Sequence, residues 1–218
     1  WRDVALVQSR TGTERSTQER PGGASEMTRS SLTTQFNENA RAPYRLRDDM
    51  EIRRLLPDEC ETLGLLTLKA YRDLEGVTYL GPYENELVDV VGRDQDSEVY
   101  VALGDEGALL GGVTYVPDSD RSMSEFEDPE GAGIRMLAVD PDHQGAGVGR
   151  ALVETCIARA RIQNRRRVIL HSTPTMVAAQ ALYEKVGFAR TPELDVWLTD
   201  EPFSASDPLH LIALIFEL

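Results

Sequence analysis

The chain of 218 residues is long enough to bury a substantial core, and its 41% hydrophobic content is ordinary for a globular protein. A net charge of −14 disfavours nucleic acid and anionic membranes as partners by simple repulsion, and it is compatible with a cationic amine substrate. No apolar run approaches the ~18 residues of a membrane span, the N-terminus lacks the apolar stretch of a signal peptide, and the two cysteines have no Cys/His cluster around them; a cytoplasmic location, no metal and no disulfide are expected.

Residues 1–46 read as a flexible leader and 47–218 as one domain. Residues 8–43 are dominated by Ser, Thr, Arg, Glu, Gln, Asn and Gly, carry no periodic apolar face, and are broken by Pro21-Gly22-Gly23. Residues 51–56 then form a first strand. Pro57-Asp58-Glu59 puts a proline and two acids in the first turn of a helix whose apolar face is Leu63, Leu66, Ala70 and Leu74. A second, weaker helix is predicted over Glu84 to Val91. Residues 98–103 and 108–116 flank Gly104-Asp105-Glu106-Gly107 as an antiparallel hairpin. The acidic connection 117–132 matches no calcium-loop spacing and reads as solvated loop.

A strand over 133–139 runs into Asp140-Pro141-Asp142-His143-Gln144-Gly145-Ala146-Gly147-Val148-Gly149-Arg150, and a helix to Ile162 follows at once. Glycines here let backbone N–H groups approach a bulky anion, which also meets the positive end of the helix dipole. The turn is not a P-loop, because no Lys follows the glycines, and not a dinucleotide fingerprint, because Arg150 replaces the third Gly. Arg159, Arg161 and Arg165-Arg166-Arg167 gather at the far end of the helix, where the dipole favours cations. A strand at 168–171, a helix at 175–186 with Ala179, Leu182, Tyr183 and Val186 on one face, and strands near 189–197 and 209–217 complete the chain.

Gln144-x-x-Gly147-x-Gly149 after Leu137-x-Val139 resembles the acetyl-CoA pyrophosphate motif of the GNAT superfamily of N-acyltransferases. A second block, Ala179-x-x-Leu182-Tyr183-Glu184-Lys185-Val186-Gly187-Phe188, is similar to that family's downstream motif. The resemblance covers residues 51–218. It implies an α/β fold with a mixed, mostly antiparallel central sheet of six to seven strands and about four flanking helices. It implies acetyl-CoA as co-substrate, with Leu137, Ala138 and Val139 along the pantetheine arm and Gln144, Gly145, Ala146, Gly147, Val148, Gly149 and Arg150 around the pyrophosphate. Tyr183 matches the family's general acid beside the thioester sulfur. Where many members carry an Asn at the start of this helix, the chain has Met176, so Thr173 or Thr175 is a candidate replacement.

The implied reaction is acetyl transfer from the thioester to a primary amine on a small molecule or peptide, by a monomer or homodimer. A catalytically silent acetyl-CoA sensor of the same fold is the alternative. No general base stands out; His171 is one candidate, and a surface-facing strand histidine is an equally simple reading. By the resemblance, Val77 to Tyr83 and Leu198 to Leu209 wall the acceptor side. Tyr79, Tyr83 and Phe203 could pack against the acceptor there, and Asp195 or Asp200 could attract its ammonium group.

Overall fold

The structure, a computed structural model, describes residues 44–47, 50–74, 80–199 and 208–218. The expected leader falls outside these residues up to position 43, as do Tyr79, Asp200 and Phe203. Strand β1 (Tyr44–Arg47) pairs with β2 (Met50–Arg54), so the sheet begins just ahead of position 47. A 3-10 turn at Pro57–Glu59 leads into α1 (Cys60–Arg72). The weak helix expected at 84–91 is two short ones, α2 (Tyr83–Val88) and α3 (Val90–Asp96). They break at Asp89, whose carboxylate leaves the first helix to accept from Gly92 N at 2.9 Å and cap the second.

Strands β3 (Glu98–Leu103) and β4 (Leu109–Val116) form the expected hairpin. Then come β5 (Gly131–Val139), α4 (Val148–Ile162), β6 (Arg167–Ser172) and α5 (Val177–Val186). The single strand expected at 189–197 is interrupted by a 3-10 turn at Pro192–Leu194, giving β7 (Ala189–Arg190) and β8 (Val196–Leu198). Both pair with the last strand, β9 (Leu209–Glu217). The sheet order is β1-β2-β3-β4-β5-β6-β9-β7, antiparallel throughout except for β5 beside β6. Nine strands and five α-helices are therefore present among the described residues; the class is mixed α/β as expected, and the extra strands are β1 and the divided β7/β8.

Alternation along the strands sends side chains to two cores. On one face Tyr100, Val113, Ala132, Ile134 and Val168 pack against the buried stripe Val148, Leu152, Cys156 and Ile157 of α4 and against Tyr183 of α5. On the other face Val99, Val101 and Leu103 meet Leu63 of α1 and Val90 of α3. Cys156 is fully buried and Cys60 half-buried, neither in a disulfide.

The acidic connection is not bare solvated loop. It folds back along β5 and β6, where Asp118, Glu130 and Asp128 meet Arg165, Arg166 and Arg167 at 3.6, 3.2 and 3.3 Å. Sequence composition shows the two charge runs separately; only the fold brings the opposite signs together.

Candidate active site

β5 and β6 are paired in parallel from Gly131↔Arg167 to Ile134↔Leu170, and there the pairing stops although both strands continue. At the same point β5 carries one residue more than β4: Thr114↔Arg135 is followed by Gly112↔Ala138. This bulge puts Met136 in the left-handed region at φ 49° and reverses which face each later residue takes. Ala138 thereby joins the α1 side with Leu66 and Ala70, while Leu137 and Val139 pack toward α4 and α5. Gly111 and Gly112 permit the distortion. A Cβ on Gly111 would lie 2.5 Å from the Ala138 carbonyl, and one on Gly112 would lie 2.6 Å from Leu63 Cδ1. The outcome is a fork in the sheet, with backbone donors and acceptors of β5 turned toward it.

The Gly-rich turn lies at the end of β5. Asp140 shapes it, its Oδ1 accepting from Asp142 N at 3.1 Å and from Lys69 Nζ of α1 at 3.2 Å. These donors hold the Asp140 carboxyl below its usual range. Gln144, Gly145, Ala146 and Gly147 are exposed. Gly145 and Gly147 take φ of +79° and +91°, with open space where a Cβ would stand. Gly147 is the N-cap of α4 without a side-chain cap, and the first intrahelical bond is Ala151 N to the Gly147 carbonyl. The amides of Val148, Gly149 and Arg150 thus head the helix ahead of its hydrogen-bond ladder. Gly149 has a packing role as well, since a Cβ there would stand 3.3 Å from Leu182 Cδ2. The Arg150 side chain is exposed and bonded to Glu154 at 2.8 Å, so it is placed by its own helix.

Tyr183 lies on α5 and is buried in the core shared with α4. The helix ends at once on Gly187 (φ +114°), whose N–H and that of Phe188 both return to the Tyr183 carbonyl, at 3.0 and 2.9 Å. This reversal lays Phe188 against Tyr183, ring centroids 5.8 Å apart, and Phe216 behind it at 5.5 Å. Burial pushes the Tyr183 hydroxyl well above the ordinary phenol range, so it stays protonated. Tyr183 also stands close enough to Tyr71 of α1 to help burial and Tyr83 raise that phenol. Tyr71 and Tyr83 meet edge to face at 6.1 Å. At the start of α5, Met176 Sδ accepts from Ser172 Oγ at 3.5 Å, and Thr173 and Thr175 bond each other at 2.9 Å.

The residues that sequence reasoning passed over lie at the fork. Arg135 of β5 bonds Glu125 at 2.8 Å and the Met123 carbonyl at 3.3 Å, and its guanidinium also serves the Tyr83 hydroxyl. Glu125 in turn stands 3.6 Å from His171 Nδ1, whose Nε2 faces the Leu194 carbonyl at 3.1 Å. Phe126 covers Gly131 and Gly133, where a Cβ would come within 3.3 and 2.7 Å of its ring. A small, partly open gap of about 10 Å³, water-sized, lies between this segment and the strands, lined by Glu125, Phe126, Arg135 and His171. One signal was available: an arginine inside the apolar run Gly133-Ile134-Arg135-Met136-Leu137-Ala138-Val139 needs a partner. His171 is no surface-facing strand histidine: only 5% of its side chain is exposed, and acceptors at both ring nitrogens favour its protonated form.

Asp195 accepts from Arg190, from His210 Nε2 at 2.7 Å and from Ala213 N at 3.0 Å. Arg190 foremost holds its carboxyl well below the usual range. Trp197 stacks flat on His210 at 4.0 Å. With its carboxylate engaged three ways, Asp195 is a fixed anchor rather than an open ammonium site. Among the described residues no three His, Cys, Asp or Glu side chains are grouped to hold a metal, and no helix is long and apolar enough to cross a membrane.

A sheet forked beside an uncapped, glycine-led helix sets two groups of open backbone donors side by side. The acetyltransferase (GNAT) family profile matches residues 68–188, more than half of the chain, and the protein belongs to that family. It is 37% identical over 106 residues to mycothiol acetyltransferase of Cellulomonas flavigena, covering 48% of this chain and 30% of that protein. Human N-acetyltransferase 8B is 30% identical over 117 residues, 52% of this chain and 46% of its own. The chain thus spans from about a third to just under half of these relatives. Among solved structures, the yncA protein of Salmonella typhimurium, determined with its cofactor acetyl-CoA, superposes with a TM-score of 0.57 at 19% identity, over 78% of this chain and 95% of that one. Ribosomal-protein-alanine N-acetyltransferase of Brucella melitensis gives 0.57 at 21% identity, over 77% and 99%. These likenesses carry the fold.

Proposed function

We propose that the protein is an acetyl-CoA-dependent N-acetyltransferase that acts in the cytoplasm, as a monomer or homodimer, on a small-molecule or peptide amine. The observation that carries this reading is the meeting, in one sheet, of the β5–β6 fork with the open amides of Gly147 to Arg150. The residues fit the cofactor: Gly145 and Gly147 leave room for a pyrophosphate, and the β5 edge at Leu137, Ala138 and Val139 offers backbone pairing to an amide-bearing pantetheine arm.

Acetyl-CoA supplies the thioester. A neutral amine attacks its carbonyl, the oxygen becomes anionic and takes a hydrogen bond from a β5 N–H, and the C–S bond breaks as the amide forms. Tyr183 donates its proton to the departing thiolate, and its burial keeps that proton in place at neutral pH. The amine proton leaves through water, and solvent returns a proton to Tyr183 before the next turnover. His171 is unsuited to take the amine proton, because both ring nitrogens are engaged.

Titration calorimetry with acetyl-CoA, followed by free-thiol release across a panel of amines, tests the reading. Binding with amine-dependent thiol release is the expected result. Binding without release by any amine would favour the silent sensor, and no binding by folded protein would overturn both.

A further inference from the structure

One carboxylate of segment 117–130 reaches both strands at the fork. Arg135 and His171 are the first residues of β5 and β6 beyond the last pairing, Ile134↔Leu170, and both point to the face this segment crosses. Glu125 reaches both, with one oxygen 2.8 Å from Arg135 Nη2 and the other 3.6 Å from His171 Nδ1. Where backbone hydrogen bonds between the strands end, a carboxylate takes over the bridging.

We propose that Glu125 straps β5 to β6 at the fork, that His171 is the side of the strap that opens, and that His171 is thereby a positioning residue for the acceptor. The last step rests on the acetyltransferase reading above; the strap itself does not.

The chemistry of the imidazole makes the strap conditional. Nε2 faces the Leu194 carbonyl and keeps its hydrogen in either charge state. Nδ1 alone therefore gains or loses the proton. Protonated, it donates toward Glu125; neutral, it turns a lone pair on a carboxylate. The groups that decide this come from every side. Glu125 faces Nδ1 from the segment, Arg135 stands beside it on β5 with Tyr83 and Glu86 of α2 behind, Leu194 caps Nε2, and β9 places apolar Ala213 opposite. Burial opposes the imidazolium, but Glu125 and the Leu194 carbonyl outweigh burial and Arg135, and the His171 pKa rises. The strap is thus fully made below the ordinary histidine value of about 6.5 and is lost as pH rises through the elevated one. The rest of the segment stays anchored: Asp96 accepts from Ser122 N and Met123 N at 2.8 and 3.0 Å, and Phe126 packs on the glycines. Opening is confined to the Glu125 region, beside the unpaired ends of β5 and β6.

The test is a proton-NMR titration of the full chain, whose three histidines are few enough to assign. It is combined with amide-exchange protection factors for residues 124–126 across the same pH range. In the wild type, His171 titrates above the ordinary value, and protection at 124–126 falls at least tenfold through that titration. In Glu125→Gln the titration moves down by a unit or more, and in His171→Gln protection no longer changes with pH. The acceptor KM rises with pH in the wild type in step with the His171 titration, is flat in His171→Gln once corrected for the amine's own ionisation, and acetyl-CoA affinity is equal in both. A His171 titration unmoved by Glu125→Gln, or protection flat through it in the wild type, would overturn the strap. Matching acceptor KM profiles in wild type and His171→Gln would overturn the positioning role. Failure to bind acetyl-CoA would instead strike the acetyltransferase reading, leaving the NMR and exchange results to decide the strap alone.

Discussion

Arg135 and Glu125 form an ion pair at 2.8 Å, with 11% and 29% of their side chains exposed, at the point where β5 leaves its parallel neighbour. A charge placed so deep is tolerable only with its partner. Arg135→Met roughly keeps the volume and removes the nearer of Glu125's two cationic partners among the described residues, and should cost about 3 kcal/mol in urea unfolding. The double variant Arg135→Met/Glu125→Leu should recover a large part of that loss. Equal stability of the single and double variants would show that the pair is not coupled.

The phosphate turn predicts an ordering of effects. Gly147 holds φ +91° at the head of α4, a conformation a β-branched residue resists by about 1–3 kcal/mol. Gly147→Val should therefore lower acetyl-CoA affinity at least tenfold by calorimetry. Arg150→Ala should lower it far less, since that guanidinium is already held by Glu154. A larger effect at Arg150 would mean that side-chain charge, not backbone shape, binds the phosphates.

Much of this architecture is legible in the sequence because it depends on neighbours in the chain. The Gly145-x-Gly147-x-Gly149 turn, the α4 stripe and the Tyr183…Gly187-Phe188 reversal all follow from residue type at fixed spacing. What escaped depends on partners far apart. Glu125 and Arg135 sit in different elements, and their pairing needs the fold of segment 117–130. The break at Asp89 needs a cap competing with helix propensity, and the division of β7 from β8 turns on Pro192. The bulge at Met136 is also invisible locally, because what admits it is Gly111-Gly112 on the adjoining strand.

Glu98 ties β3 to the C-terminal end of α4, accepting from Arg159 Nε and Nη2, both at 2.8 Å, and from Tyr100 and Gln163. Burial works to raise its carboxyl pKa, yet these donors, Arg159 first, lower it on balance. A depressed carboxyl stabilises the fold above its unfolded pKa of about 4.3, and that contribution disappears as pH falls through the folded value. Glu98→Gln should cost about 2 kcal/mol at pH 7 and lessen the loss of stability on acidification. Parallel stability–pH curves for the two proteins would remove Glu98 from the acid transition.

Tyr183→Phe keeps the ring that packs on Phe188 and removes only the hydroxyl. If that hydroxyl protonates the leaving thiolate, turnover should fall about 100-fold while acetyl-CoA affinity stays within twofold of wild type. The wild-type rate should also show no decline through the ordinary tyrosine value of about 10, because burial raises this phenol above it. Weaker acetyl-CoA binding with unchanged turnover would make Tyr183 a packing residue of the α4–α5 core. A loss of turnover that persists with an acetyl donor whose less basic leaving group needs no proton would place the defect in amine activation instead. The split between these outcomes rests on chemistry, since the side chain's packing is the same in both.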